Sequence, residues 1–381
     1  MERKDLKHRP TVLIVLDGWG VAVHSVANAI TQSRTPNFLS YIARYPTFTL
    51  KASGEATGLP WNEVGNSEVG HMSIGAGRIV YQDLSRITAA ISNKSFFENS
   101  VFQECIAKVK KQKSTLHLIG MVSPGGVHSH SDHLYALLEL VEKEKVGSVA
   151  IHVITDGRDT GYMSAKGYIS QLRDRCAQIP GCRIATLSGR FYGMDRDNHW
   201  DRIQRAYASI VQAVSDQEYQ DPVAALDASY AAQIFDEQLV PTVIHEKRKK
   251  YKGIADHDAV LFFNIRADRA RQFTRALSVA DFNKFSTVKK DDLAVATMTE
   301  YEAGLPVRVA FPSQKITNCL AEVISNAGLK QLHLAETEKY AHVTYFLNDG
   351  REEPFPGEDR IMIPSTAVES YDQKPEMSAR E

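Results

Sequence analysis

The stretch Val149-Ala-Ile-His-Val-Ile-Thr-Asp-Gly-Arg-Asp159 joins an apolar, β-branched run of strand length to a turn that carries three charges. Val149 to Thr155 reads as a strand, and Asp156-Gly157 as the turn that ends it. Three other runs repeat the pattern: Leu116 to Val122, Arg183 to Leu187 and Ala259 to Ile265. Between them, His133 to Glu144, Gly167 to Gln178, Trp200 to Ala213 and Ala270 to Leu277 carry helical periodicity. This alternation implies βαβ units, a largely parallel sheet and an α/β class. No internal repeat or low-complexity segment interrupts it.

Arg158, Arg190, Arg266 and Arg269 fall at or just beyond the ends of these predicted strands, so their guanidinium groups are expected to converge on one mouth of the sheet, where open α/β sheets bind ligands. Convergent cations need an anion. Planar guanidinium forks match carboxylate and phosphate oxygens in a bidentate way, and a phosphorylated three-carbon acid supplies both. The competing reading pairs the same arginines with Asp156, Asp195, Asp197 and Asp268, and counting charges does not choose between the two.

Upstream, Thr11-Val-Leu-Ile-Val-Leu16 is another apolar run of strand length, and it ends in Asp17-Gly-Trp-Gly20. A carboxylate at a strand's mouth is a hard oxygen ligand suited to Mg²⁺ or Mn²⁺. In Asn62-Glu-Val-Gly-Asn-Ser-Glu-Val-Gly-His71, Ser67 stands between glycines beside a carboxylate and an imidazole. It reads as a nucleophile, which needs a base or a metal ion to act at neutral pH. The plainer alternatives are that Asp17 opens a turn and that Ser67 caps a helix beginning near Glu68. In Gly125-Gly-Val-His-Ser-His-Ser-Asp-His133, His128 and His130 with Asp132 or His133 could form a zinc hydrolase centre, the sharpest rival reading.

At 381 residues the chain exceeds the roughly 250 to 300 residues that one core supports, so two domains are expected. A net charge of -1 removes any bulk electrostatic case for nucleic acid or an acidic membrane. Cys105, Cys176, Cys182 and Cys319 form no C-x-x-C pair, which fits reduced, buried thiols. The charged start Met1 to Pro10 lacks an apolar signal region, and no later run approaches a membrane span, so a cytoplasmic protein is expected. The run Lys247-Arg-Lys-Lys250 reads as a solvated loop or helix end.

Five signatures occur in one order: Asp17-Gly-Trp-Gly, Gly65-Asn-Ser-Glu-Val-Gly-His71, Ile154-Thr-Asp-Gly-Arg-Asp159, Gly189-Arg-Phe-Tyr192 with Met194-Asp-Arg-Asp197, and Phe263-Asn-Ile-Arg-Ala-Asp-Arg269. In this the chain resembles the cofactor-independent (2,3-bisphosphoglycerate-independent) phosphoglycerate mutases, from about Arg9 to its last residue. The resemblance implies an incomplete alkaline-phosphatase-like domain, residues 1–81 and 303–381, interrupted by an inserted α/β substrate-binding (transferase) domain at 82–302. Crossings near Tyr81 and Gly304 would act as hinges for domain closure.

The implied activity is interconversion of 3-phosphoglycerate and 2-phosphoglycerate through a phosphoserine at Ser67. The resemblance gives Asp17 and Ser67 as metal ligands and Asp159 as the acid or base toward the glycerate hydroxyls. Lys339 would neutralise charge near the phosphoryl group, and His128 would contact the transferred phosphate. Arg158, Arg190, Arg196, Arg266 and Arg269 would hold substrate together with His128, Asp159 and Lys339. Two Mn²⁺ ions, with Mg²⁺ or Co²⁺ as alternatives, and no bisphosphoglycerate cofactor are implied, in a monomer with no nucleic-acid or membrane partner.

The family pattern is expected to continue well past Glu381, through an Asp-x-x-x-His element, an Asp-His pair and a further histidine that supply most metal ligands. A truncated, catalytically impaired mutase that only binds phosphoglycerate through its arginine pocket is therefore the alternative. A phosphatase or pentose-phosphate mutase of the same superfamily is disfavoured by the combined Gly-Arg-Phe-Tyr and Asp-Gly-Arg-Asp signatures.

Overall fold

The computed structural model describes residues 10–61, 63–245 and 250–381. The N-terminal charges before Pro10, Asn62 and the basic residues Lys247 to Lys249 lie outside the described residues. The chain divides into two compact units, Met1–Tyr81 with Lys315–Glu381, and Gln82–Gln314.

The Gln82–Gln314 unit is built on eight strands: β1 Leu116–Met121, β2 Val149–Thr155, β3 Cys182–Gly189, β4 Gln217–Tyr219, β5 Thr242–Ile244, β6 Ala259–Phe262, β7 Ala294–Thr299 and β8 Arg308–Phe311. Their order across the sheet is β4-β5-β3-β2-β1-β6-β7-β8. β1 pairs in parallel with β2 from Leu116↔Val149 and with β6 from Leu116↔Ala259. β2 pairs in parallel with β3. Among the described residues the one antiparallel pairing is that of β5 with β3, and β4, parallel to β5, runs with it against the other strands.

β1, β2 and β6 are buried along their whole length, as expected of parallel strands covered on both faces. Successive residues serve opposite faces. Leu118, Leu261 and Phe263 join Phe96, Phe102, Leu134 and Leu172 in one core. Ile119, Val260 and Phe262 join Ile203, Phe273 and Tyr301 in the other.

The expected helices are present. Ser131–Lys143 follows β1, Ala165–Gln178 follows β2, and Arg271–Ser278 follows β6. The helix Trp200–Tyr207 follows β3 and continues as a π-turn over Ala208–Gln212. Sequence patterning missed β4 and β5, which are three residues each and too short to show a period, and also β7 and β8. All four cysteines are buried, and none is in a disulfide among the described residues.

In the other unit, β9 Gln331–Glu336 pairs in parallel with β10 Glu358–Ile363. The helix Ser67–Ala76 is capped by Asn66, whose Oδ1 accepts from the Val69 amide at 2.9 Å. Ser67 is thus the first helical residue and not the cap. Thr11–Leu16 corrects another expectation, because it forms no ladder with any described strand, and Val12 and Ile14 are 77% and 73% exposed. β-branched composition suits a strand, but a strand exists only through backbone pairing with a neighbour.

Candidate functional site

Because β3, β2, β1 and β6 are adjacent and parallel, the loops leaving their C-terminal ends share one edge of the sheet. Those loops carry Arg190, then Arg158 and Asp159, then His128, then Arg266 and Arg269. The topology therefore gathers onto one edge side chains spread over more than a hundred residues of sequence.

The hub of the cluster is Asp156, at 2% exposure. Its Oδ1 accepts from the backbone amides of Arg158 (3.2 Å) and Asp159 (2.9 Å) and from Arg190 Nη1 (2.7 Å), while Oδ2 accepts from Ser123 Oγ (2.8 Å). Burial alone would raise this carboxyl, but these hydrogen bonds prevail and hold it below the usual carboxylate range. Gly157 makes the turn possible. It sits at φ +71°, and a Cβ there would meet the Glu237 amide nitrogen at 2.6 Å.

Arg190 is 3% exposed and donates from Nη1 to Asp159 Oδ2, also at 2.7 Å. Asp159 Oδ2 in turn lies 3.9 Å from His128 Nε2. On the other side of His128, Asp268 Oδ2 accepts from Arg196 Nη1 at 2.9 Å, and Asp268 Oδ1 stands 3.1 Å from Arg266 Nε. Arg158 pairs with Glu237 at 3.4 Å. Arg269 donates to the Met194 carbonyl at 3.0 Å, not to an acid. Burial first, and then the nearby charges of Arg190 and Arg196, lower its affinity for its own proton.

Arg158, Arg190, Phe191, Arg202, Glu237 and Arg269 line a cleft of about 320 Å³, ample for a three-carbon phosphate. Arg202 and Glu237 lie outside the sequence motifs, whereas Phe191 stands within Gly189-Arg-Phe-Tyr192. Arg202 lies two residues into its helix and stacks on the Phe191 ring at 3.8 Å, a contact no motif advertises. The acid pairings weighed from the sequence do occur at Asp156 and Asp268, and they order the arginines without filling the cleft.

The His128–His130 zinc reading is not supported by the geometry. His130 Nδ1 accepts from the Asp132 amide at 3.2 Å as a helix cap, and His133 faces Thr88 Oγ1 at 3.2 Å. Among the described residues, the group able to offer a metal three ligand atoms is Asp195, Asp197 and His199, whose atoms lie within 4.8 Å of one another.

In the other unit, Ser67 Oγ donates to Asp17 Oδ2 at 2.6 Å, and Lys339 Nζ donates both to Ser67 Oγ at 3.0 Å and to Asp17 Oδ2. Burial would raise Asp17, but the Lys339 and Ser67 hydrogen bonds win and keep it ionised to lower pH. Helix Thr337–Ala341 begins directly after β9 and presents Lys339. Asp17 and Ser67 are hard oxygen donors already in contact, so they fit part of the shell of a divalent ion.

The family model "BPG-independent PGAM N-terminus" matches residues 87–303. The chain is 50% identical over 375 residues to the 2,3-bisphosphoglycerate-independent phosphoglycerate mutase of Moorella thermoacetica, covering 98% of this chain and 73% of that protein.

This chain belongs to the 2,3-bisphosphoglycerate-independent phosphoglycerate mutases.

Its counterpart in Chloroflexus aurantiacus is 48% identical over 395 residues, with the same shares covered. Among solved structures, that of Leishmania mexicana phosphoglycerate mutase at low cobalt concentration aligns with a TM-score of 0.64 and 31% identity, over 92% of this chain and 66% of that one. The family is one of isomerases, and the fold is an alkaline-phosphatase-like α/β domain interrupted by an inserted α/β domain. The chain spans about three quarters of the length of these curated relatives.

Proposed function

We propose that this chain interconverts 3-phosphoglycerate and 2-phosphoglycerate, with Ser67 as the transient phosphoryl acceptor and the arginine cluster as the glycerate site. The observation that carries the reading is the shared sheet edge on which Arg158, Arg190, Arg196, Arg266 and Arg269 gather around Asp159 and His128. Positioning and charge neutralisation supply most of the rate in phosphoryl transfer, and both are what this edge offers.

In the forward direction Ser67 Oγ attacks phosphorus and gives its proton to solvent, the bond from phosphorus to O3 of glycerate breaks, and O3 takes up a proton from solvent. The glycerate turns within the arginine pocket. Its 2-hydroxyl gives a proton to Asp159 and attacks the phosphoserine, the bond from phosphorus to Ser67 Oγ breaks, and Oγ takes a proton from solvent as Asp159 releases its own. Arg190 orients Asp159 for that proton, His128 contacts the phosphate, and Lys339 neutralises charge beside Ser67. Asp17 and Ser67 would hold a divalent ion, Mn²⁺ being the expected one, that lowers the charge on the attacking oxygen. No bisphosphoglycerate is consumed. A water-soluble substrate of this kind suits a monomeric cytoplasmic protein. The domains that the reading assigns, residues 1–81 and 303–381 against 82–302, divide the chemistry between acceptor and glycerate pocket.

The test is conversion of 3-phosphoglycerate by the 381-residue chain with added Mn²⁺ and no bisphosphoglycerate, followed by peptide mass spectrometry. Conversion with phosphate on Ser67, both lost in Ser67→Ala, is the expected result. Conversion that survives Ser67→Ala would overturn the reading.

A further inference from the structure

His128 is held from behind. Its carbonyl accepts from the amides of Ile265 at 2.8 Å and Arg266 at 3.4 Å, which stitches the loop after β1 to the loop after β6. The imidazole is buried, and its Nδ1 has no hydrogen-bond partner. Asp268 Oδ1, also buried, has none either, since Arg266 Nε approaches it too obliquely for a hydrogen bond. The two orphaned atoms stand 3.6 Å apart.

A buried donor and a buried acceptor left unpaired are costly, and each is the nearest remedy for the other. Closing the gap by about 0.5 Å brings them within N–H···O range. Asp268 is anchored for that role by Arg196 through its second oxygen. Arg196 and Arg266 keep the carboxylate below its usual range although burial works the other way, so it remains an acceptor.

We propose that Asp268 is the positioning residue of His128: it accepts the Nδ1 proton, turns Nε2 toward the transferred phosphate, and stabilises the imidazolium that forms when phosphate arrives. The inference rests on the reading of His128 as a phosphate contact. The charged groups facing the imidazole are Arg190, Asp268, Asp159 and Arg266. In the free protein, burial first and Arg190 next hold His128 down to about 4, while Asp268 and Asp159 pull the other way. The ring is therefore neutral at pH 7. A phosphate dianion adds a second negative partner, and a proton follows it onto the ring.

Two measurements test this on the full chain. The first is histidine ¹⁵N NMR of the free protein, with His128→Asn to assign the signal. Wild type should carry the Nδ1–H tautomer, and Asp268→Asn should lose that preference and titrate at still lower pH. The second is calorimetry of 3-phosphoglycerate binding in buffers of different ionisation enthalpy. Wild type should take up a proton on binding. Asp268→Asn should take up far less and bind about tenfold more weakly, the scale of one lost charge-assisted hydrogen bond. Asp268→Glu should recover part of both, and it replaces Asp268→Asn if that variant does not fold. An unchanged tautomer and unchanged proton uptake in the Asp268 variants would overturn the proposal. A wild-type chain that binds no 3-phosphoglycerate would instead sink the phosphate reading of His128, while the tautomer measurement still decides what Asp268 does.

Discussion

Asp159 Oδ2 lies 2.7 Å from Arg190 Nη1, and the same nitrogen reaches Asp156 Oδ1 at 2.7 Å on its other side. One guanidinium thus ties a wholly buried carboxylate to the more open one proposed to move a proton. The open acid inherits its orientation from the buried one, so their roles divide: Asp156 sets geometry and Asp159 faces the cleft.

Arg190→Met is expected to be severe. It leaves Asp156 buried without its cation, and breaking such a pair costs about 3–5 kcal/mol. Urea denaturation should show a midpoint well below wild type, and 3-phosphoglycerate binding should vanish. Asp159→Asn, which keeps a polar group opposite Arg190, should unfold near the wild-type midpoint while turnover falls. Equal stability losses in the two variants would contradict this division of roles.

Gly157→Ala probes the turn that presents Arg158 and Asp159. Both the positive φ and the contact with the Glu237 amide oppose a Cβ, so a loss of about 2 kcal/mol is expected. Substrate affinity should fall with it, because the shift falls on the turn that aims two site residues. A thermal melt paired with a binding isotherm checks both.

Stability should decline as pH falls below 6.5. His133 is pushed down to about 3, by burial first and then by His130, and His128 to about 4. Both rings are neutral in the folded chain and protonate in the unfolded chain below 6.5, so the unfolded state gains protons first. Each group then removes about 1.4 kcal/mol per pH unit between its unfolded and folded values. Their stabilisation is fully present above 6.5 and is lost on acidification. Denaturant midpoints at pH 7, 6 and 5 test the slope, which should flatten in His133→Gln.

Asp17→Ala should separate the metal from the glycerate pocket. Mn²⁺ is expected to raise the melting temperature of the wild-type chain, and a chelator to reverse the rise. Neither should affect Asp17→Ala, whose 3-phosphoglycerate affinity in the arginine cluster should stay within about twofold, since independent sites add. A variant that still responds to Mn²⁺ would move attention to Asp195, Asp197 and His199.

The α/β architecture was legible at β1, β2, β3 and β6, whereas β7, Ala294-Val-Ala-Thr-Met-Thr299, is as long as β1 and nearly all buried but mixes small and polar residues into its run and escaped the patterning. Val149 to Thr155 was read with the bounds it has, because an unbroken β-branched run bounded by Asp156-Gly157 has few other ways to fold. Thr11 to Leu16 carries the same composition and forms no ladder, since pairing belongs to the neighbour as much as to the run. The sequence alone determined the family and the parallel sheet, through local patterning and motifs in register, and it nominated the arginines at strand ends.

Only the tertiary structure decided which acid holds which arginine, that His128 faces Asp268, and that Lys339 rests on Asp17 from 322 residues away. Periodicity along a chain reports which face of an element is buried. Which side chains meet across loops is set by strand order and packing, and that information appears only once the elements are assembled.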